Sequence, residues 1–570
     1  MTKTLRILAI VAILFITIPL SQNAYGLPDG GWVEIYAPAV AETEEGMVGA
    51  LSTISVRVEN GSGRVFVDTF PLTEVDMQSS ARLAASVAAS MSDKNVREYN
   101  FFVVVRSDAQ LVGGTSAGGV MCVAMMAALN NLSIKKDVMM TGTINPDGTL
   151  GPVGGIPEKM QAAKEANAKK FLIPKGQANY THMETTTKKA GPITLTTQQP
   201  RKVNLLDYGK EIGIEVREVL DVREAVYEIT GRSFERPRVS KISTVSYEQL
   251  MRPQAQKLAN EARRSYNKAR IIEESEVYEY QNESYKSLVD GLDLLSQNRY
   301  YSAASLFFES LLYSGYVNTY DEYLKKGTYD EILEEASRSI ESIDNRIKNS
   351  VSLYNTLAIQ CFGVAEEKIF ESKNAFNTAF SLLENNSVHD GLFSLNYGVE
   401  RARSAEWWLD VSLSLNLKGS KMSDEALSSL ALSAMDSAQE TLLYAQLSSV
   451  PKELFPILLQ ANELLTMAKA ARTGGYAAGS IILALKAKAL SELVVETGAV
   501  EAGVRELDEM ISITKENARS AIARAQEKGI EPILALAYFE CGENSEGKDA
   551  LDAIMNYKYA RSIASLSGYV

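Results

Sequence analysis

The chemistry this sequence can do rests on a serine and a lysine. Gly113-Gly114-Thr115-Ser116-Ala117-Gly118-Gly119 puts Ser116 at a strand-to-helix junction with glycines on both sides. Bare backbone there lets a substrate carbonyl come close, and the amides at a helix N-terminus favour an oxyanion. Taken alone, Ser116 reads sooner as the cap of the following helix, since Ser is a common N-cap. Gly114-x-Ser116-x-Gly118 also satisfies the nucleophile elbow of serine esterases, which requires an acid and then a histidine downstream. The chain owns two histidines, His182 in a polar Thr-rich stretch and His389 in Asn-Ser-Val-His-Asp. Neither stands at the end of a predicted strand near Ser116, which argues against a histidine triad.

A lysine can replace the histidine if burial or a nearby cation lowers its pKa. Lys159 follows Gly154-Gly155-Ile156-Pro157-Glu158 in the first turn of a predicted helix. Ile156, Ala163 and Ala166 lie at −3, +4 and +7 from it, so the lysine is on the apolar face. A lysine so placed either snorkels outward or is held neutral for chemistry, and position alone favours snorkelling.

The elements that must hold these residues are mixed. Ile54, Val56 and Val58 alternate with polar residues, Asn60-Gly61-Ser62-Gly63 turns, and Val65 and Val67 alternate again, which predicts a β-hairpin. Residues 77–90 predict a helix, 101–105 a buried strand and 116–129 a helix buried all round. Residues 137–144 read as one strand ending in the turn Asn145-Pro146-Asp147-Gly148, and Pro157 opens the helix of Lys159. A short strand follows at 171–173, and a last strand and helix at 214–219 and 222–230.

Five blocks carry a resemblance. They are Gly114-Thr115-Ser116-Ala117-Gly118, Lys136-Asp137-Val138-Met139-Met140-Thr141-Gly142, Gly151-Pro152-Val153-Gly154-Gly155-Ile156-Pro157-Glu158-Lys159, Ala162-Ala163-Lys164-Glu165-Ala166 and Phe171-Leu172-Ile173-Pro174. In this order and at closely similar spacing they resemble the proteolytic domain of Lon proteases. The resemblance implies a Ser-Lys dyad endopeptidase of polypeptides, with Ser116 as nucleophile and Lys159 as general base. It also implies Thr141 as a support for the lysine, Gly114 and Thr115 as the nucleophile's flank, and a homo-oligomeric ring. Three departures stand out. Gly113 occupies a position where many of the family have Asp, and Thr143 one where Glu is frequent. The stretch 176–209 is longer than the family usually needs.

Composition sets the frame. The 570 residues carry a net charge of −13, which argues against a nucleic-acid partner, since phosphate contacts need clustered Lys and Arg. With Cys122, Cys361 and Cys541 far apart and two histidines, no metal site or cofactor is expected. No G-x-x-x-x-G-K-[ST] phosphate loop occurs, so cleavage without ATP is expected. Lys3 and Arg6 precede the apolar run 7–20, and residues 1–26 read as a signal peptide or an N-terminal membrane tether. Either places the bulk of the chain outside the cytoplasm, secreted or on the outer face of the membrane. The expected architecture is an α+β proteolytic domain over 27–232, a linker at 233–246 containing Pro237, and an all-helical domain over 247–570. Residues 284–314, 378–405, 461–492 and 533–564 each predict two helices around a short turn, without the fixed period of a regular solenoid. The linker predicts that the two halves fold separately. Two other functions fit the sequence: a serine esterase using Ser116 with a histidine, and a non-catalytic adaptor with a helical protein-binding surface.

Overall fold

The computed structural model describes residues 31–568 apart from 44–45, 74–75, 113–114, 191–192, 236–240, 270–274, 351–358, 416–421, 449, 502 and 504. Gly113, Gly114, Pro237 and the segment read as a signal or tether lie outside the described residues. Among the described residues no helix is long and apolar enough to cross a membrane.

The first sheet contains β1 (Val33–Thr43), β2 (Gly46–Asn60), β3 (Val65–Thr73) and, after helix α1 (Asp76–Met91), β4 (Tyr99–Val112). Ile54, Val56 and Val58 point into the core, as their alternation predicts. The predicted hairpin across Asn60–Gly63 does not form, because the strand order is β1-β2-β4-β3. β4 lies between its two arms, and its Val103 stands opposite both Val56 of β2 and Val67 of β3. The hairpin partner of β2 is instead β1, with Ile35 opposite Ile54. Alternation reports which face of a strand is buried, not which strand lies beside it. A continuous apolar run such as 101–105 belongs inside a sheet, with a neighbour on each edge.

The chain continues through α2 (Gly118–Leu129), β5 (Val138–Met140), β6 (Thr143–Ile144), β7 (Leu150–Gly151), α3 (Ile156–Glu165) and β8 (Lys170–Pro174). β9 (Asn179–Ala190), β10 (Ile193–Asn204), α4 (Leu205–Ile212), β11 (Glu215–Val219) and α5 (Val222–Thr230) complete this half. The predicted strand 137–144 is two strands in two sheets. β5 joins the parallel sheet β11-β8-β5, and after Gly142, at φ 153°, β6 pairs with β7. The long Thr-rich stretch is mostly the antiparallel ribbon of β9 and β10, a two-stranded sheet of its own.

From Val245 onward every regular element among the described residues is helical: α6 (Val245–Lys268), α7 (Ser275–Ser296), α8 (Tyr300–Lys326), α9 (Asp330–Asn349), α10 (Ile359–Glu384) and α11 (Val388–Ser414). These are followed by α12 (Asp424–Leu447), α13 (Phe455–Thr473), α14 (Ala477–Glu501), α15 (Leu507–Glu527), α16 (Ile533–Ser545) and α17 (Ala550–Ala564). The four predicted hairpins are α7/α8, α10/α11, α13/α14 and α16/α17. Each turns on a left-handed residue, Asn298, Asn386, Gly475 and Gly547 respectively, the usual way to stop a helix without strain. Tyr300, Tyr316 and Tyr557 are buried packing residues of this half.

The two halves do not sit apart on a tether. Tyr444 of α12 donates its hydroxyl to the Ile144 carbonyl at 3.1 Å. Arg505, just before α15, pairs with Asp147 at 3.0 Å, the side chains being 3 % and 1 % exposed. Arg561 of α17 donates to the Pro146 carbonyl at 3.3 Å, and Lys175 pairs with Glu509 at 2.7 Å. Pro237 marks a change of composition, but no local pattern reports contacts between residues 300 or more positions apart.

The first half has its own tight point. A Cβ on Gly49 of β2 would fall 2.2 Å from the Glu158 carbonyl oxygen and 2.9 Å from Ala162 Cβ, so β2 rests on the backbone of α3. Gly49→Ala should therefore destabilise the protein by about 1–3 kcal/mol, read as a lower Tm by circular dichroism. An unchanged Tm would mean that β2 and α3 are not in this contact.

Candidate active site

Ser116 lies in a single 3-10 turn, Thr115–Ala117, that leads into α2. All of α2 is buried, whereas Thr115, Ser116 and Ala117 are half-buried, so the turn lies at the edge of the core. The Thr115 amide donates to the Asp76 carboxylate at 2.9 Å. The Gly119 amide donates to the Gly142 carbonyl at 3.0 Å, and the Gly142 amide to the Ser116 carbonyl at 3.3 Å. This reciprocal pair fixes the serine turn against the joint between β5 and β6.

The glycines after Ser116 are needed for packing. A Cβ on Gly118 would meet Ile144 Cγ2 at 2.8 Å, and one on Gly119 would meet Leu150 Cδ2 at 2.8 Å and the Gly142 carbonyl oxygen at 2.9 Å. Their bare backbone admits β6 and β7, a reason different from the substrate access that the sequence suggests.

Lys159 enters from α3. Gly155, at φ 65°, turns the chain into the helix, and a Cβ there would lie 2.7 Å from Val40 Cγ1. The loop before it is clasped by Gln177, which exchanges two hydrogen bonds with the Val153 backbone at 3.1 and 3.0 Å. The Gly155 amide donates to the Tyr180 hydroxyl at 2.8 Å. Ile156, Met160 and Ala163 are fully buried and Lys159 is 2 % exposed, so it does not snorkel. Position alone pointed the other way, because a helix face does not reveal what covers it; here β1 and β2 do. Lys159 Nζ donates to Thr141 Oγ1 at 3.3 Å, and the Thr141 amide donates to the Leu172 carbonyl of β8 at 3.1 Å. Burial lowers the lysine's pKa from the usual 10.5 to about 8, against a smaller opposing pull from the Glu158 carboxylate.

Ser116, Thr141 and Lys159 are thus linked through one joint. Lys159 reaches Thr141, and the next residue, Gly142, is bonded to Ser116. At the departure Thr143, the hydroxyl lies where a Cβ on Gly151 would come within 2.3 Å, so that glycine makes room for it. His389 is remote from this joint. It lies in the helical half, with Tyr316 and Tyr320 hydroxyls at 2.8 and 3.4 Å from its two ring nitrogens. His182 falls on β9 opposite Arg201. Asp76 was not found from the sequence, since an acid at a helix start is the commonest of helix signals.

Residues 37–191 match the family described as Lon protease (S16) C-terminal proteolytic domain. "Lon protease 1" of Myxococcus xanthus is 36 % identical over 155 residues, 25 % of this chain and 19 % of that protein. A "Lon protease" of Buchnera aphidicola subsp. Baizongia pistaciae is 37 % identical over 141 residues, 24 % of this chain and 18 % of its own. That of Vibrio parahaemolyticus is 37 % identical over 142 residues, again 24 % and 18 %. The chain thus spans about a fifth of the length of these relatives, and the helical half is outside the match.

The buried amine has a stability signature. With its pKa lowered to about 8, the folded chain holds fewer protons than the unfolded chain between about pH 8 and 10.5, so stability rises across that window. Below it the penalty is fully present. Lys159→Met should therefore be more stable than wild type at pH 7, by on the order of 3 kcal/mol, with the gap closing by about pH 10. Equal Tm values at pH 7 would show that the amine is not buried at a cost.

Proposed function

We propose that this chain, whose residues 37–191 form a Lon-type proteolytic domain, is a serine endopeptidase working through Ser116 and Lys159. The observation that carries this is the lysine: buried, bonded to Thr141 and with its pKa lowered to about 8, it is neutral often enough near neutral pH to act as a base.

Neutral Lys159 takes the proton from Ser116 Oγ as the oxygen attacks a peptide carbonyl. The oxyanion is held by backbone amides at the start of α2. Those of Thr115 and Gly119 are already engaged, by the Asp76 carboxylate and the Gly142 carbonyl. The ammonium then gives its proton to the leaving amine. An acyl-enzyme remains, and a water deprotonated by Lys159 hydrolyses it. Thr141, by accepting from Nζ, orients the lysine and leaves its lone pair to be directed at the serine.

The substrates we infer are unfolded or flexible polypeptides. The enzyme acts outside the cytoplasm, as the basic residues and apolar run of 1–26 suggest, and cleaves without ATP, since the chain has no phosphate loop. An esterase is less well supported: His389 is engaged by two tyrosines in the other half. A non-catalytic adaptor would not need a lysine amine held dry at a cost in stability.

Residues 27–570 should cleave casein and a short fluorogenic peptide. Ser116→Ala and Lys159→Arg should abolish turnover, the latter because a guanidinium stays protonated. The rate should climb about tenfold per pH unit at low pH and level off above about pH 8. ATP with Mg²⁺ should leave it unchanged. Full activity in either variant, or a flat profile from about pH 6 to 10 with chemistry limiting the rate, would refute the dyad.

A further inference from the structure

The helical half meets the other half at α1, where Arg82 pairs with Glu440, at Lys175, which pairs with Glu509, and at one short segment close to the candidate site. Tyr444, Arg505 and Arg561 come from α12, the loop before α15 and α17, and they grip Ile144, Asp147 and Pro146 respectively. Arg505 Nη1 also lies 3.5 Å from Thr149 Oγ1, and Thr149 in turn donates to Asp147 at 2.6 Å. Burial pushes the Asp147 carboxyl up, but Arg505, Lys558 and the Thr149 hydrogen bonds more than offset this and hold it below its usual value. The carboxylate is therefore fixed as an anion, with its partner supplied by the other half.

This segment is the turn between β6 and β7, and β6 begins one residue after Gly142. Thr141 and Gly142 are the residues that meet Lys159 and the Ser116 backbone. β6 is only two residues long and pairs only with the two-residue β7, which is too little ladder to fix a register by itself. Its own half holds it through backbone bonds from Leu150 to the Leu220 carbonyl at 2.9 Å and from Val222 to the Gly148 carbonyl at 3.0 Å, both at the β7 side of the turn, and the helical half adds the side chains of Tyr444, Arg505 and Arg561 at Ile144, Asp147 and Pro146.

We propose that Arg505 and Tyr444 are positioning residues of the active site: by clamping the turn 144–149 they set Thr141 against Lys159 and Gly142 against Ser116. The helical half then completes the site instead of merely standing beside it. The kinetic part of this rests on the peptidase reading above; the structural part does not.

The test uses the full chain with two variants. Tyr444→Phe removes one hydrogen bond and keeps the ring. The pair Asp147→Asn with Arg505→Met removes both charges together and leaves neither unpaired. Amide hydrogen exchange is followed at Thr141 and Gly142 and, as a control, at Phe101, Val103 and Val105 in the core of the sheet. Both variants should accelerate exchange at Thr141 and Gly142 about tenfold and leave the control amides unchanged. For a short peptide, kcat should fall about tenfold or more with KM within twofold, since misplaced groups cost rate before binding. Arg505→Lys, which keeps the charge, should recover part of kcat. Unchanged exchange at Thr141 and Gly142, or faster exchange spread equally over the control amides, overturns the proposal, and so does failure of both variants to fold. If local exchange accelerates while wild type and Ser116→Ala are equally inert toward peptides, the clamp stands and the peptidase reading falls.

Discussion

Keeping one lysine amine out of water is the constraint around which the Lon-type domain is arranged. An ammonium resists desolvation, and its cheapest response is to give up its proton. That response is useful only if the amine cannot swing back into solvent. Three features prevent it: the left-handed Gly155 that aims α3, the close seat of α3 on Gly49 of β2, and the hydroxyl of Thr141 that receives Nζ. Each takes away an escape route, and the pull of Glu158 in the opposite direction is too small to restore the charge.

The candidate residues were easier to single out in the sequence than their surroundings. Ser116 stands out because glycines flank it, and Lys159 because an apolar stripe runs through its position. Both signals are local. The fate of Lys159 was not, since snorkelling and burial share one helical pattern and only the strands packed over α3 decide between them. The hairpin at residues 54–67 was misread for the same reason. Strand order is set by β4, which arrives some thirty residues later and finds an edge on each side. The break at Thr141-Gly142 left a trace, the glycine, but a glycine before a β-branched residue reads as an ordinary strand ending. The helical hairpins were easier to see. Their contacts lie close in sequence, and each turn carries an Asn or Gly where a left-handed residue is needed.

The helical half was expected as a separate body, because composition changes sharply at the Pro237 segment. What composition cannot show is a charge pair split between halves. Asp147 in its turn looks like any solvated turn aspartate. Only the fold reveals that Arg505 covers it, and that both are almost wholly out of water.

That split pair bears on how such a protein can change over time. The first half grafted onto a different partner would carry an acid without its cation, and this helical half on a different first domain would carry the reverse mismatch. Neither is a free building block. Asp147 and Arg505 must be replaced together or kept together, so recombination at the Pro237 segment, the obvious place to cut by composition, is penalised. The lineage is expected to inherit the two halves as one unit, and drift at either residue to wait on a change in the other.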